Sequence, residues 1–381
     1  MDYSDVLAAA GRIDGLVLRT PVLEVSPGVF FKLELLQHSG SFKVRGAFNR
    51  MLSAGELPPR GVIAASGGNH GLAVAYAARV LGVRAEIFVP EVTSPVKVAG
   101  LEALGAHITQ TGAIYSEAAE AAAKRAAESG ALAVHAYDQA EVVAGQGTTG
   151  LEIVEQTGGV DTVVVAVGGG GFAAGITLGT SGPTPATSPA PTPGSAVASG
   201  SAVASGSAAA PGSAPAPGSV TAPGSAPAPG SVTTPGFAPA AGSAATPGSA
   251  TAPGAAATPG SGPRIIAVEP ERIPTLHEAL RAGHPVPVEV SGVAADALGA
   301  TKIGAIAFEI LSSPRVESVL VTDEAIVEAR RTLWARHRVA AEPAGATAYA
   351  ALLAGAYTPA PGERVAVVLC GSNTDPSTLT P

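Results

Sequence analysis

The chain has 381 residues and a net charge of −8, and its one cysteine, Cys370, excludes a disulfide framework and a cysteine-built zinc site. Five lysines and 17 scattered arginines form no basic stripe, which argues against nucleic acid as a partner, and no stretch of ~18 uninterrupted apolar residues points to a membrane span. Length alone, at ~150 residues per domain, suggests two or three domains. Residues 181–263 distort that count, because these 83 residues hold 17 of the 33 prolines, 14 of the 48 glycines and no charge. The other 298 residues carry all 52 charges, enough chain for one large α/β core or two lobes.

The opening MDYSDVLAAAGRIDG is acidic and lacks the basic leader and apolar run of a signal peptide, so a cytoplasmic protein is expected. Short β-branched runs then alternate with Ala-rich helical patterns. Strands are predicted at 62–65, 86–89, 162–167, 265–268, 316–321 and 365–369, and FFKLEL at 30–35 is strand-like as well. Helices with polar starts are predicted at 71–81, 95–104, 115–129 and 323–336, and the four-glycine run at 168–171 opens another, FAAGITLG. This alternation implies a mostly parallel, doubly wound α/β sheet, in which ligands bind beyond the carboxyl ends of the strands.

From Gly194 to Gly260 a glycine falls at every sixth position, and nine of the twelve follow a proline. A six-residue period suits a parallel β-helix only if an aliphatic residue stacks at one fixed position per turn. Here that position is mostly Ala, and Pro-Gly interrupts each unit. Proline removes backbone donors, and glycine and serine add chain entropy, so residues 181–263 read as a disordered, polyproline-biased insertion.

Three predicted strands run into glycine-rich loops: VIAAS into Gly67-Gly68-Asn69-His70-Gly71, TVVVAV into Gly168-Gly169-Gly170-Gly171, and VAVVL into Cys370-Gly371-Ser372-Asn373. Such glycines let the backbone approach a ligand and turn its amides toward it. The four-glycine run at a helix start suits a phosphate. A dinucleotide reading of Gly168-x-Gly170-x-x-Ala173 needs an acidic residue about 20 positions on, and none occurs before Glu269. Lys43, in Ser39-Gly40-Ser41-Phe42-Lys43-Val44-Arg45, is the one lysine of five in a small-residue turn beside an aromatic. A desolvated lysine there can act as an amine nucleophile and form a Schiff base, and with a phosphate cradle it points to pyridoxal phosphate.

SGSFKVRGA, SGGNHG, AGQGT (144–148), VGGGG, EPAGA (342–346) and LCGSN resemble, in order, the motifs of the fold-type-II pyridoxal-phosphate enzymes, specifically the serine/threonine dehydratases (threonine ammonia-lyases). The resemblance covers nearly all of the chain outside the repeat. It implies a two-lobed, tryptophan synthase β-like α/β fold. A large lobe would take in residues 1–48 and 145–381, a small lobe residues 49–144, and the insertion would lie within the large lobe. It also implies that Lys43 carries the cofactor, that Phe42 packs against its pyridine ring and that Asn69 hydrogen-bonds its ring hydroxyl. Gly168, Gly169, Gly170, Gly171 and the Phe172 amide would hold the phosphate, and Cys370 would face the pyridine nitrogen as a neutral partner, which suits β-elimination over transamination. Ser66 and the amides of Gly67, Gly68 and His70 would receive the substrate carboxylate, with a purely structural turn role for His70 left open.

The implied reaction is conversion of L-threonine or L-serine to a 2-oxo acid and ammonia, with the Lys43 amine as general base at Cα. The related alternatives are a serine racemase, a threonine synthase, a hydroxyaspartate dehydratase and a non-catalytic binding module. Gly67 stands where racemases of the family place a second serine, which weakens the racemase reading. Family members that bind a divalent metal use a glutamate followed six residues later by an aspartate. Glu269 fits the first place but Thr275 stands in the second, so no strong metal site is expected. Phe172 and Ser372 depart from the common Leu and Gly. The chain ends at Pro381, soon after the last motif, so no C-terminal regulatory domain is expected, and a homodimer is implied.

Overall fold

A computed structural model describes residues 1–182 and 262–379. The hexapeptide repeat, and with it nearly all of the expected disordered insertion, lies outside the described residues. The strands are β1 (Val22–Ser26), β2 (Val29–Lys32), β3 (Val62–Ala65), β4 (Ala85–Val89), β5 (His107–Gln110), β6 (Leu132–Ala133), β7 (Thr162–Ala166), β8 (Arg264–Pro270), β9 (Val316–Val321) and β10 (Val365–Val368). They form a six-stranded sheet in the order β1-β2-β10-β7-β8-β9 and a four-stranded sheet in the order β5-β4-β3-β6. Only β1 runs antiparallel to its neighbour. All ten strands belong to one compact unit of the chain.

Strands buried on both faces read as continuous apolar runs, because helices cover a parallel sheet from both sides. That is why β7 and β10, buried at every residue, match their predicted spans to within one residue. Strand β8 extends further than 265–268, because Arg264 pairs with Thr162 of β7 and the Glu269-Pro270 pair continues the ladder against β9. FFKLEL divides: β2 ends at Lys32, and Glu34–Leu36 forms a 3-10 turn. The predicted helix at 323–336 runs as α-helix over Asp323–Thr332 and widens to a π-turn over Leu333–His337. Helix Asn69–Val80 starts two residues earlier than predicted, so Asn69 and His70 belong to its first turn.

The helix Ala140–Thr157 lies between the two sheets in sequence and contains the AGQGT motif. Residues two apart on a helix point about 200° apart, so Gly145 and Gly147 face opposite sides. A Cβ on Gly145 would stand 2.6 Å from Arg45 O and 2.8 Å from Gly46 Cα, in the helix Lys43–Ser53. A Cβ on Gly147 would stand 2.8 Å from Gly175 O, in the helix Gly171–Gly179. One strut thus holds the lysine helix on one side and the four-glycine helix on the other.

Candidate active site

The loops after β3, β7 and β10 converge at the carboxyl ends of their strands, as a parallel sheet dictates. Phe42, Lys43, Asn69, Gly168, Gly169, Gly170, Gly171, Phe172 and Cys370 line one cavity there. Ser66, Gly67, Gly68 and His70 lie on the same loop as Asn69 but do not line that cavity. Ser66 Oγ accepts the Gly68 amide at 3.2 Å. The buried His70 ring donates from Nε2 to Val134 O at 2.8 Å, and burial together with the charge of Lys43 lowers it to about 3.

Lys43 opens its helix at the cavity wall, and its Nζ donates to Ala136 O at 2.7 Å. Desolvation lowers its amine to about 8, against the opposing influence of Cys370 and Glu342. Behind it, the fully buried Arg45 donates to Glu34 at 2.7 and 2.8 Å, to Glu152 at 2.7 Å and to Thr148 Oγ1 at 3.0 Å. These bonds fix the first turn of the lysine helix against the AGQGT helix.

Across the cavity, Gly170 adopts φ +84°, a left-handed conformation that favours glycine, and caps the helix Gly171–Gly179. Among the described residues the amides of residues 169–172 make no hydrogen bond, and Ala174 is the first to bond back, to Gly170 O at 2.9 Å. The loop is confined from outside: a Cβ on Gly169 would run into the Tyr137 ring and one on Gly171 into Tyr137 O. Phe172 stacks on Phe42 with centroids 3.8 Å apart and planes at 15°, a contact its departure from leucine makes possible.

The Cys370 thiol is buried and donates weakly to Ala344 O at 3.5 Å; burial pushes its pKa up, so it stays neutral. Asn69 Nδ2 donates to Glu342 Oε1 at 2.6 Å, and Asn69 Oδ1 accepts from Asn373 Nδ2 at 2.6 Å. Burial raises the Glu342 carboxyl to about 7, against the lowering effect of the Asn69 bond. Glu269 is buried and accepts the amides of Leu276 and His277 at 2.7 and 2.8 Å, and the Thr275 hydroxyl contacts both Glu269 Oε1 at 2.9 Å and Gly168 O at 2.6 Å. The described residues include no cluster of three or more His, Cys, Asp or Glu able to hold a metal ion.

Sequence reasoning missed seven cavity residues, the polar Tyr137 and Glu342 and the apolar Ala166, Ala173, Ala297, Leu298 and Ala344. Glu342 stood inside the EPAGA motif, where a carboxylate beside small residues was the available signal. Tyr137 carried none, because its position depends on the contact of the 135–138 loop with residues 169 and 171.

The cavity suits a flat, anionic, phosphate-bearing ring: four free amides face a helix start, a lysine with a lowered pKa stands opposite, and a neutral thiol and an amide lie between. Relatives agree. The chain is 33% identical over 387 residues to the L-threonine ammonia-lyase of Geobacter sulfurreducens, covering 100% of this chain and 77% of that protein. It is 30% identical over 379 residues to the L-threonine ammonia-lyase of Thermotoga maritima, covering 97% and 75%. It is 30% identical over 388 residues to the phenylserine dehydratase of Ralstonia pickettii, covering 99% and 95%. The crystal structure of the T.th. threonine deaminase superposes with a TM-score of 0.71 at 29% identity, covering 98% of this chain and 99% of that one. Residues 13–234 and 236–371 match the family described as pyridoxal-phosphate dependent enzyme, and the chain belongs to that family.

Proposed function

We propose that the chain is a pyridoxal-phosphate-dependent lyase that converts a β-hydroxy-α-amino acid, L-threonine or L-serine, to a 2-oxo acid and ammonia by α,β-elimination. The observation that carries this reading is the cavity itself, in which Lys43 faces the free amides of residues 169–172 with the neutral Cys370 thiol beside them. The cofactor, when bound, supplies the electron sink that allows the substrate Cα–H bond to break. Lys43 holds the cofactor and moves the Cα proton. The amides of residues 169–172, with Gly168 at the loop's start, neutralise the phosphate, and Phe42 lies against the ring. Asn69 donates to the ring oxygen. Cys370, as a neutral group at the ring nitrogen, limits charge build-up there and favours loss of a β-substituent over longer-lived carbanion chemistry. Ser66 and the amides of Gly67, Gly68 and His70 take the substrate carboxylate.

The two sheets are read as two lobes, bounded near residues 48 and 145, and both boundaries fall within continuous helices, Lys43–Ser53 and Ala140–Thr157. The site of action is read as the cytoplasm and the assembly as a homodimer. Among the described residues no helix is long and apolar enough to cross a membrane.

Purified chain supplied with pyridoxal phosphate is expected to release 2-oxo acid and ammonia in equal amounts from L-threonine or L-serine, and Lys43→Ala to lose both products and the cofactor's visible band. Formation of the D-amino acid without 2-oxo acid would establish the racemase alternative instead. No turnover of any β-hydroxy amino acid, phenylserine included, with the cofactor bound would leave a binding module.

A further inference from the structure

We propose that Asn373 is a positioning residue that, anchored on the Ser39 carbonyl, holds Asn69 with an N–H directed at the cavity, so that the cofactor's ring oxygen is held unprotonated. The inference rests on the functional reading above for the presence of the cofactor and for Asn69 as the partner of that oxygen; Asn373 has no part in that reading.

The argument is one of donor and acceptor counting. Side-chain amides can face either way, and only their neighbours decide which end is oxygen. Ser39 O is a backbone carbonyl and can only accept, so the Asn373 atom 2.8 Å from it must be Nδ2. That same nitrogen lies 2.6 Å from the Asn69 amide and spends its second proton there, so the Asn69 atom facing it must be Oδ1. Asn69 Nδ2 consequently points the other way and gives one proton to Glu342 Oε1 at 2.6 Å. An amide nitrogen has two protons, and the second is left for the cavity that Asn69 lines. A group meeting that proton must be an acceptor. The polarity is set from the backbone end and does not depend on the charge of Glu342, which burial raises to about 7 and which is therefore mixed at neutral pH.

The backbone is shaped for this relay. Ser39 adopts φ +59° although it is not a glycine, and Gly40 follows at φ +77°. A left-handed serine is costly and persists where the surroundings impose it. A side chain on Gly40 would bring its Cβ 2.5 Å from Asn373 Oδ1, so glycine there lets the two loops meet. Ser372 ties the same contact from the next residue, its amide donating to Gly40 O at 2.9 Å and its hydroxyl to Leu35 O at 2.9 Å. Asn373 itself is exposed, so its replacement removes the relay without emptying the core.

The test uses the full chain reconstituted with pyridoxal phosphate and reads the ratio of the cofactor's long-wavelength to short-wavelength absorption bands, which reports whether the ring oxygen is unprotonated or protonated. The wild type is expected to show mainly the long-wavelength band. Asn373→Ala and Asn373→Asp are expected to lower the ratio by about five-fold, the worth of one hydrogen bond, with little change in the thermal unfolding of the cofactor-free chain. In a double-mutant cycle, Asn69→Ala with Asn373→Ala is expected to match Asn69→Ala alone. An unchanged ratio in the Asn373 variants, an effect larger than that of Asn69→Ala, or one additive with it overturns the proposal while leaving the lyase reading intact. A wild-type chain that takes up no cofactor fails the lyase reading, and the proposal falls with it.

Discussion

Lys43 is set apart from the other four lysines by its surroundings. Among the described residues its only hydrogen-bond acceptor is a backbone carbonyl, and desolvation brings its amine from the ordinary 10.5 to about 8. The unprotonated amine is the form that bonds to an aldehyde, and a lowered pKa places more of it at neutral pH. The rate at which the cofactor-free chain takes up pyridoxal phosphate is thus expected to rise with pH and level off above about 8. An exposed lysine would keep rising to the ordinary lysine range. Stopped-flow absorbance across pH 6 to 10, in buffers of constant ionic strength, reads the midpoint, and an inflection near the ordinary value would mean that the amine is solvated. This environment is only half legible from sequence. The small residues around Lys43 announce a tight turn, but the carbonyl of Ala136 that holds the amine belongs to a loop 93 positions away.

At the scale of the element, the helix Ala140–Thr157 explains why glycines occur at alternate positions in AGQGT. Gly145 lets the lysine helix approach backbone to backbone, and Gly147 does the same for the helix that carries the phosphate loop, whose Gly175 would place a Cβ 2.5 Å from Val143 O and 2.7 Å from Gly147 N. Adding a methyl at such a crossing forces helices apart at a cost of about 1–3 kcal/mol. The two sides should respond differently. Gly175→Ala is expected to displace the phosphate loop, so that affinity falls more for pyridoxal phosphate than for pyridoxal. Gly145→Ala, which pushes on the helix of Lys43, is expected to weaken both equally. Equilibrium titration of the two ligands against each variant measures this, and equal losses in both variants would remove the assignment of one side to the phosphate. The sequence marked these glycines as a motif without revealing the crossing, because close approach of two helices is set by contacts far apart in the chain. Strands β7 and β10 were legible because both of their faces are buried. Strand β5, HITQ, was not, since half-exposed edge residues leave no apolar run.

For the whole molecule, the central question is how a core of ordinary size tolerates 83 uncharged residues inserted about ten positions after the phosphate loop. The described residues on either side of the repeat answer part of it. Arg315 Nη2 donates to Thr177 O at 2.9 Å and to Ser181 Oγ at 2.8 Å, while its Nη1 donates to Pro263 O at 3.3 Å, so one guanidinium holds the chain where it leaves the core and where it returns. A side chain on Gly262 would run into Thr180 O, which places the two ends side by side. The clasp grips the last turn of the helix Gly171–Gly179 at Thr177, and β8 pairs with β7 from Arg264 onward. The described chain on either side of the repeat is therefore tied to the core by one helix, one strand and one clasp. Replacing residues 183–261 with a short Gly-Ser linker is expected to leave cofactor uptake and turnover unchanged. If the repeat is the flexible connection its composition predicts, shortening it about twenty-fold lowers the entropy of closing the loop by roughly 2–3 kcal/mol, and the shortened chain should unfold several degrees higher. Arg315→Ala should lower the unfolding temperature of both chains, and by more in the long one, where the clasp also closes the larger loop. A shortened chain that loses its cofactor or melts lower than the full-length protein would show instead that the repeat contributes contacts to the core.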